Sequence, residues 1–586
     1  MQTYSPFRLP KKTPFRFAET IAEWATGLSK LDQFYAQRPA GCDTQTFIRF
    51  TLEILGIDYQ VNQGSISNIP STGPTVIVAN HPLGCVEGVI LAELLLTLRQ
   101  DVKILANQYL KTVPELDELF IGVDVFAGQN SRVANLKALR QAHQHLADGG
   151  LILLFPAGEV SQLIDRKTQR LEDKEWSRSV SSLISRSAAT TVPIFINGQN
   201  SKRFYLAGKV HPLLRTLMLG RELLNKSQET IQIAIGSAIK FREVKGLPEQ
   251  KMVNYLRLNT YLLQHQAHQV QTSSTSSDSH LPISPALPLK DLIADLNGLP
   301  EDHLLLSSGE FDVYCTQSEY IPSLLHEIGR LRETNFRQVG EGTGLAIDLD
   351  EFDRYYRHLF IWDKENQCLV GAYRLGLVDE IVAIQGIEGL YSRTLFNYDA
   401  PFIDSMGKSI EMGRSVIDQR YQKSMGALLL LWKGIATFVS RNPQYTHLFG
   451  PVSISSDYSE QTRQLLAASM TLHYGDQAKA EHVSPSNPLP STTHNWNTSM
   501  LTALGDLQLL ARVVARIDQG KSIPVLLRQY LALNGKLISF NVDPEFNNAL
   551  DGLIVVDLKQ VELRTLARYM GAGEASTYLA YHQLAN

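Results

Sequence analysis

The chain has 586 residues, 44% hydrophobic and 19% charged, with a formal net charge of −4 at pH 7. That length is too great for one ordinary core and the composition is globular, so two or more domains are expected and a disordered chain is excluded. The slightly acidic balance argues against a nucleic-acid partner.

The basic N-terminus, 1–12, lacks the apolar core of a signal peptide. Short β-branched runs at 75–79, 102–105, 151–155, 192–196 and 229–235 are predicted strands, and 89–99 and 131–146 are predicted helices. This alternation predicts an α/β layer with a largely parallel sheet. Residues 264–290 are Ser/Thr/Gln-rich and end in prolines, which predicts a flexible linker between a first domain, 1–263, and a second, 291–586. In the second, 311–315, 358–362, 368–376 and 447–450 are predicted strands and 424–440 a long helix, again α/β but with more antiparallel character. The proline-containing stretch 478–495 predicts a loop insertion. The longest apolar runs, 89–98 and 427–432, fall short of the ~20 residues that span a bilayer. Membrane contact is therefore expected to be peripheral. Cys42, Cys85, Cys315 and Cys368 are scattered without a CxxC, which fits a reduced, cytoplasmic setting and no structural zinc.

The segment Asn80-His81-Pro82-Leu83-Gly84-Cys85-Val86-Glu87 leaves the first of these strands and enters a helix. A neutral imidazole is suited to take a proton from an alcohol near neutral pH, and a carboxylate can hold it in the right tautomer. Loops at strand ends are a usual place for such chemistry. Phe155-Pro156-Ala157-Gly158-Glu159-Val160-Ser161 follows another strand and would bring backbone N–H groups and Glu159 to the same sheet edge. Arg132 is a candidate for an anionic headgroup or a carrier's phosphate. The bland alternative makes His81 a core histidine and Glu87 a first-turn acid favouring the helix dipole. Cys85 reads as a small buried thiol rather than a nucleophile. Basic stretches around Arg8 to Arg16 and at 213–221 fit either a lipid surface or the charged edges of core helices. Further on, Glu411-Met412-Gly413-Arg414-Ser415 belongs to a predicted strand, and Arg420 and Lys423 precede the long helix. A strand, a basic turn and a helix N-terminus make an anion site.

The first set of motifs resembles the glycerol-phosphate and lysophosphatidate acyltransferase superfamily, with its NHxxxxD, FPEGxxS and VPI boxes (here Val192-Pro193-Ile194). It is nearer to the hemolysin-like branch, with NHPxGxxDG and FPAGEVS, over roughly residues 60–245. The chain departs from the pattern at Glu87, where the relatives carry Asp. The resemblance implies that His81 deprotonates an acceptor hydroxyl, that Glu87 orients it, and that Asn80, Gly158, Glu159 and Ser161 help bind the acceptor. The second set resembles the GNAT-like, hemolysin-type N-acyltransferases of lyso-ornithine lipid, whose ExGRS segment matches Glu411, Gly413, Arg414 and Ser415. Leu331-Arg332-Glu333, His358-Leu359-Phe360 and Gly450-Pro451-Val452-Ser453 also match, within roughly 310–560. The usual GNAT turn is degraded to Gln422-Lys423-Ser424-Met425-Gly426-Ala427, which favours an acyl carrier over acetyl-CoA. This resemblance implies that Glu411 accepts the amine's proton, that Arg414 and Lys423 hold a phosphate or carboxylate, and that Asp543, Phe546 and Asp551 line the site; turn capping is the simpler reading of the two aspartates.

Together the halves resemble bifunctional ornithine-lipid synthases. That implies a second domain attaching a 3-hydroxyacyl chain to an amino acid, ornithine by default with lysine, glutamine and glycine open, and a first domain esterifying the new 3-hydroxyl. Acyl-ACP or acyl-CoA would be the donor. No permanently bound cofactor and no metal is implied, and the protein would sit on the inner face of the cell membrane. Two alternatives stay open: phospholipid remodelling fused to an unrelated N-acyltransferase, and a membrane-bound scaffold with a degenerate first site.

Overall fold

The run Thr75–Ala79 is buried along its whole length, as a strand flanked on both sides must be. The computed structural model describes residues 5–7, 23–107, 111–123, 129–165, 170–210, 215, 218–226, 230–264, 281–422, 425–490 and 496–584. The chain forms two units, 1–271 with 493–509 and 272–492 with 510–586. The predicted linker falls largely on 265–280, outside the described residues.

The first unit is built on β1 (Asp58–Gln63), β2 (Thr75–Ala79), β3 (Val102–Asn107), β4 (Phe120–Val123), β5 (Leu151–Leu154), β8 (Thr190–Asn197) and β9 (Thr230–Ile235), in the order β1-β9-β8-β2-β5-β3-β4. A small hairpin, β6 (Gln162–Asp165) and β7 (Arg170–Glu172), stands apart. Every neighbouring pair of the large sheet is parallel except β8 with β9, so the predicted parallel layer is present as five strands, with β9 and β1 at one edge both reversed. Helices α1 (Thr44–Leu55), α2 (Val86–Leu96), α3 (Gln129–Ala147) and α4 (Glu249–Tyr261) belong to this unit. Helix α2 begins three residues before the predicted start. Its first-turn Glu87 accepts the N–H groups of Leu83 and Gly84, which lets the helix open ahead of Gly88.

One piece of the predicted second domain returns to the first unit. Asn254 Nδ2 on α4 donates to Thr502 Oγ1 at 2.9 Å, and Asn497 Nδ2 donates to Glu172 Oε1. The expectation of an unbroken second domain from 291 to 586 is corrected at 493–509. The same segment buries Trp496, Met500, Leu501, Ala503 and Leu504, a run too short to show which unit its apolar residues join.

The second unit holds an eight-stranded sheet in the order β10-β11-β12-β13-β15-β16-β19-β18. Its strands are β10 (Leu304–Ser308), β11 (Phe311–Gln317), β12 (Arg357–Asp363), β13 (Cys368–Leu377), β15 (Ser409–Ile417), β16 (His447–Ile454), β18 (Lys536–Asp543) and β19 (Ala549–Asp557). A separate ribbon pairs β14 (Phe396–Tyr398) with β17 (Val483–Pro485). The stretch read as a loop insertion therefore contains a strand, and a short helix, Gln477–Ala480, overlaps its start. Helices α5 (Pro322–Gln338) and α6 (Met425–Arg441) belong to this unit.

Among the described residues of this sheet only β15 and β16 pair in parallel, over three positions, Ser409↔His447 to Glu411↔Phe449, before parting. Gly450 stands where they part: a Cβ there would lie 2.1 Å from the Met412 carbonyl oxygen. Opposite β13, two residues of β15 between Gly413 and Val416 face one, which is a β-bulge. Arg414 in that bulge has φ +49°, a left-handed conformation uncommon for a residue with a side chain. Among the described residues no helix is long and apolar enough to cross a membrane.

Candidate active sites

Strands β8, β2 and β5 are adjacent and parallel, so the loops at their carboxyl ends emerge at one edge of the first sheet. His81 follows β2, and its ring stacks on Phe155, which follows β5, with centroids 4.5 Å apart. His81 Nδ1 lies 2.8 Å from Oε1 of Glu87. The same oxygen accepts the N–H groups of Leu83 (2.9 Å) and Gly84 (2.8 Å), so the carboxylate is held from three sides. Glu87 is wholly buried; burial works against its charge, but His81 and the backbone N–H groups hold its pKa below the usual value. Gly84 has φ +95°, and a Cβ there would meet Leu219 Cδ2 at 2.5 Å, so only glycine fits this turn. The imidazole is 17% exposed. With Nδ1 turned to Glu87, Nε2 has no partner among the described residues and is the nitrogen open to a hydroxyl.

Two residues expected to bind the acceptor do something else. Asn80 is buried; its Nδ2 donates to the Ile196 carbonyl (2.9 Å) and its Oδ1 accepts the Ile196 N–H (2.7 Å), tying the loop to β8. Ser161 is also buried; its Oγ donates to Asp173 Oδ1 (2.5 Å) and its N–H to the His81 carbonyl (2.8 Å). Both support the site from behind. Glu159 keeps a position near the surface, engaged by Lys174 and Arg215, which overcome burial and hold its pKa low. Gly158 is exposed at φ +68° with open space around it. The Arg132 side chain lies outside the described residues. Burial pushes the Cys85 thiol up to about 11, which keeps it protonated at neutral pH.

Sequence reasoning missed Asp173. Its Oδ1 accepts the His81 N–H (3.2 Å) as well as Ser161, and its Oδ2 accepts Trp176 Nε1 (2.9 Å). Burial lifts its pKa in spite of these bonds. Asn80→Ala would strip the buried Ile196 peptide of both partners, and is expected to destabilise the first unit by about 1–3 kcal/mol; urea unfolding measures this.

In the second unit the strands part around a cavity of about 170 Å³. The bulge residues Gly413, Arg414 and Ser415 line it, with Glu341, Asp543 and Asp551. Arg414 Nη1 donates to Tyr391 Oη (3.0 Å), and the guanidinium sits over the rings of Tyr391 (4.9 Å) and Phe546 (4.8 Å). Behind it runs a ladder of alternating charge. Arg414 lies 3.2 Å from Asp348 and 3.4 Å from Asp350; Arg374 bonds Asp350 (2.5 Å) and lies 3.3 Å from Asp353; Asp353 accepts Arg332 (2.8 Å). Arg332, Asp353 and Arg374 are buried. The spacing Asp348-x-Asp350-x-x-Asp353 was the available signal for this ladder. Burial and the two neighbouring arginines depress His358 to about 4, so it is neutral at pH 7.

Glu411, expected from sequence to accept the amine's proton, is not among the residues that line this cavity. Its carboxylate is buried and takes the Tyr356 hydroxyl and the N–H groups of Tyr391 (3.0 Å) and Ser392 (2.7 Å). It pins the short helix Tyr391–Thr394, which carries the ring under Arg414. Residues three apart on a strand point to opposite faces, which by itself separates Glu411 from Arg414. Asp543, Phe546 and Asp551 do line the cavity. Lys423 lies outside the described residues.

Comparison with known proteins adds the following. Residues 33–269 match the family described as Acyltransferase, and residues 331–433 the family described as Acetyltransferase (GNAT) domain. The chain is similar to a glycine N(alpha)-acyltransferase of Phocaeicola vulgatus, 30% identical over 244 residues, covering 39% of this chain and 74% of that protein. It is similar to the glycine N(alpha)-acyltransferase of Bacteroides thetaiotaomicron, 28% identical over 45% of this chain and 82% of that protein. A lyso-glycine lipid O-acyltransferase of Phocaeicola vulgatus is 26% identical over 33% of this chain and 69% of its own length.

Proposed function

The chain belongs to the acyltransferase family that contains the glycine N(alpha)-acyltransferase of Phocaeicola vulgatus, and on that premise we propose that it carries out two successive acyl transfers of aminolipid synthesis. The second unit N-acylates an amino acid with a 3-hydroxyacyl thioester, and the first unit O-acylates the new 3-hydroxyl. One observation carries this reading: a single chain matches both an acyltransferase family and a GNAT family, and its relatives are named for N-acylation of glycine and O-acylation of a lyso-glycine lipid. The product of the first named activity is the substrate of the second. The relatives' names favour glycine over the ornithine expected from sequence.

In the first unit His81 Nε2 takes the proton of the lipid hydroxyl while Glu87 holds Nδ1 and offsets the imidazolium charge. The hydroxyl oxygen attacks the thioester carbon, the carbon–sulfur bond breaks, and the proton returns to the departing thiolate. In the second unit Arg414 holds the carboxylate of the amino acid, its strained backbone being maintained for that purpose. The donor is an acyl thioester of acyl carrier protein or coenzyme A, and the lysolipid reaches His81 from a membrane surface.

Expression of the full chain in a host without aminolipids, with mass spectrometry of the lipids, tests the proposal. A glycine lipid with one amide-linked and one ester-linked chain is expected. Amides of ornithine alone would change the amino acid; remodelled phospholipids without any amide would sink the reading. Glu87→Gln is expected to lower ester formation by about 100-fold, since a misplaced imidazole costs on that order. Glu87→Asp, which keeps the charge, should restore most of it, and ester-to-amide ratios in the same extracts measure both.

A further inference from the structure

With Glu411 consumed by Tyr356 and the Tyr391–Ser392 backbone, the amine-acylating site lacks the proton acceptor that sequence placed there. An amino acid arrives as an ammonium, which is no nucleophile until a base has taken one proton. We propose that Asp551 on β19 is that catalytic residue: it accepts the proton of the attacking amino group, while Arg414 across the cavity holds the substrate's carboxylate. The inference rests on the N-acylation reading above.

The geometry singles out Asp551. It lines the same cavity as Arg414 and is 3% exposed. Strand register sets it opposite Ser453 of β16 and Asn541 of β18, and Ser453 Oγ donates to its Oδ1 at 2.6 Å. That single short bond orients the carboxylate from the β16 side. Glu411, by contrast, is held by three donors away from the cavity. The groups bearing on Asp551 are Asp543 of its hairpin partner, Glu341 from the loop after α5, and Arg414 of the bulge. Burial first, then the like charges of Asp543 and Glu341, raise its pKa to about 7, against the pull of Ser453 and Arg414. Glu341 is raised to about 7 as well, by burial and the neighbouring Asp457 and Asp543. A base poised near the working pH is half ionised and strong enough to take the proton.

One ammonium proton passes to the Asp551 carboxylate. The freed nitrogen lone pair forms a bond to the thioester carbon, the carbon–sulfur bond breaks, and its electron pair leaves on the carrier's sulfur. The second nitrogen proton goes to that thiolate, and Asp551 returns its own proton to solvent.

The test uses the purified full chain, glycine and the 3-hydroxyhexadecanoyl thioester of acyl carrier protein, with amide product followed by mass spectrometry across pH. For the unmodified chain kcat/KM for glycine should rise through about pH 7 and then level, since Asp551 must be ionised to act. Asp551→Asn should lower kcat by about 100-fold, abolish that inflection and leave KM for glycine unchanged. Ser453→Ala removes a bond that favours the anion and should move the inflection up. Glu341→Gln removes a like charge and should move it down. These two shifts decide the matter if Asp551→Asn fails to fold. An Asp551→Asn chain that keeps the wild-type rate and inflection overturns the proposal. So does one that only raises KM for glycine, which would make Asp551 a binding contact. If the unmodified chain makes no amide at all, the N-acylation reading falls and this inference with it.

Discussion

His81→Ala is expected to lower ester formation by roughly 10²- to 10⁴-fold, the usual contribution of a positioned general base, while amide formation continues. Cells expressing the variant should accumulate the monoacylated amide and lack the diacylated lipid. The expectation follows from three observations together. Nδ1 is committed to a buried carboxylate at 2.8 Å, the ring is braced by Phe155, and Nε2 is the unpartnered nitrogen among the described residues at an edge where three parallel strands end. The Asp173 hydrogen bond to the His81 backbone N–H and the Asn80 clamp to Ile196 hold the loop whatever the side chain at 81, so the variant should fold. Unchanged ester output from His81→Ala would instead mean that the first unit acts as a scaffold.

Asp353→Ala is expected to destabilise the second unit by roughly 3–5 kcal/mol, the order seen when one member of a buried ion pair is removed. Asp353 lies between Arg332 (2.8 Å) and Arg374 (3.3 Å), and both guanidiniums are wholly buried. Without the carboxylate two cations would share a low-dielectric space with Asp350 alone to offset them. Burial works against the charge of Asp353, yet the two arginines hold its pKa well below the usual carboxylate range, which shows which effect wins. Asp353 also closes a capping box with Asp350 at the short helix Glu351–Arg354, and that too would be lost. A guanidinium chloride titration followed by tryptophan fluorescence measures the shift; a loss below ~1 kcal/mol would place the ladder among the weak, solvent-screened pairs. Because Arg374 and Arg414 share Asp350, the same variant should also raise KM for the amino acid.

Much of the first unit was legible in the chain. The run at 75–79 is bounded as predicted because a fully buried parallel strand shows itself as an unbroken apolar stretch. In the second unit the predicted strands at 358–362 and 368–376 and the helix at 424–440 correspond to β12, β13 and α6 within a residue or two. Strands β18 and β19 escaped because polar and charged residues interrupt their apolar pattern: Asp543 and Asp551, which line the cavity, and the buried Asn541. Strand alternation puts Glu411 and Arg414, three positions apart, on opposite faces, whereas the bulge at Arg414 is announced by no local pattern.

The sequence by itself determined the acyltransferase character of both halves and the His81–Glu87 pair, because strand end, loop and first helical turn lie within a few residues and close on themselves by local geometry. The tertiary structure alone decided which polar residues stay available. Asn80, Ser161 and Glu411 are consumed as struts, while Asp173 joins His81 from 92 positions away. Arg332, Asp353, Arg374 and Arg414 join into one ladder, and Asp551 comes to stand at the cavity of Arg414. A residue's type sets what chemistry it can perform; its burial and its partners, which depend on strand register and on segments far apart in the chain, set whether that chemistry is free to be used.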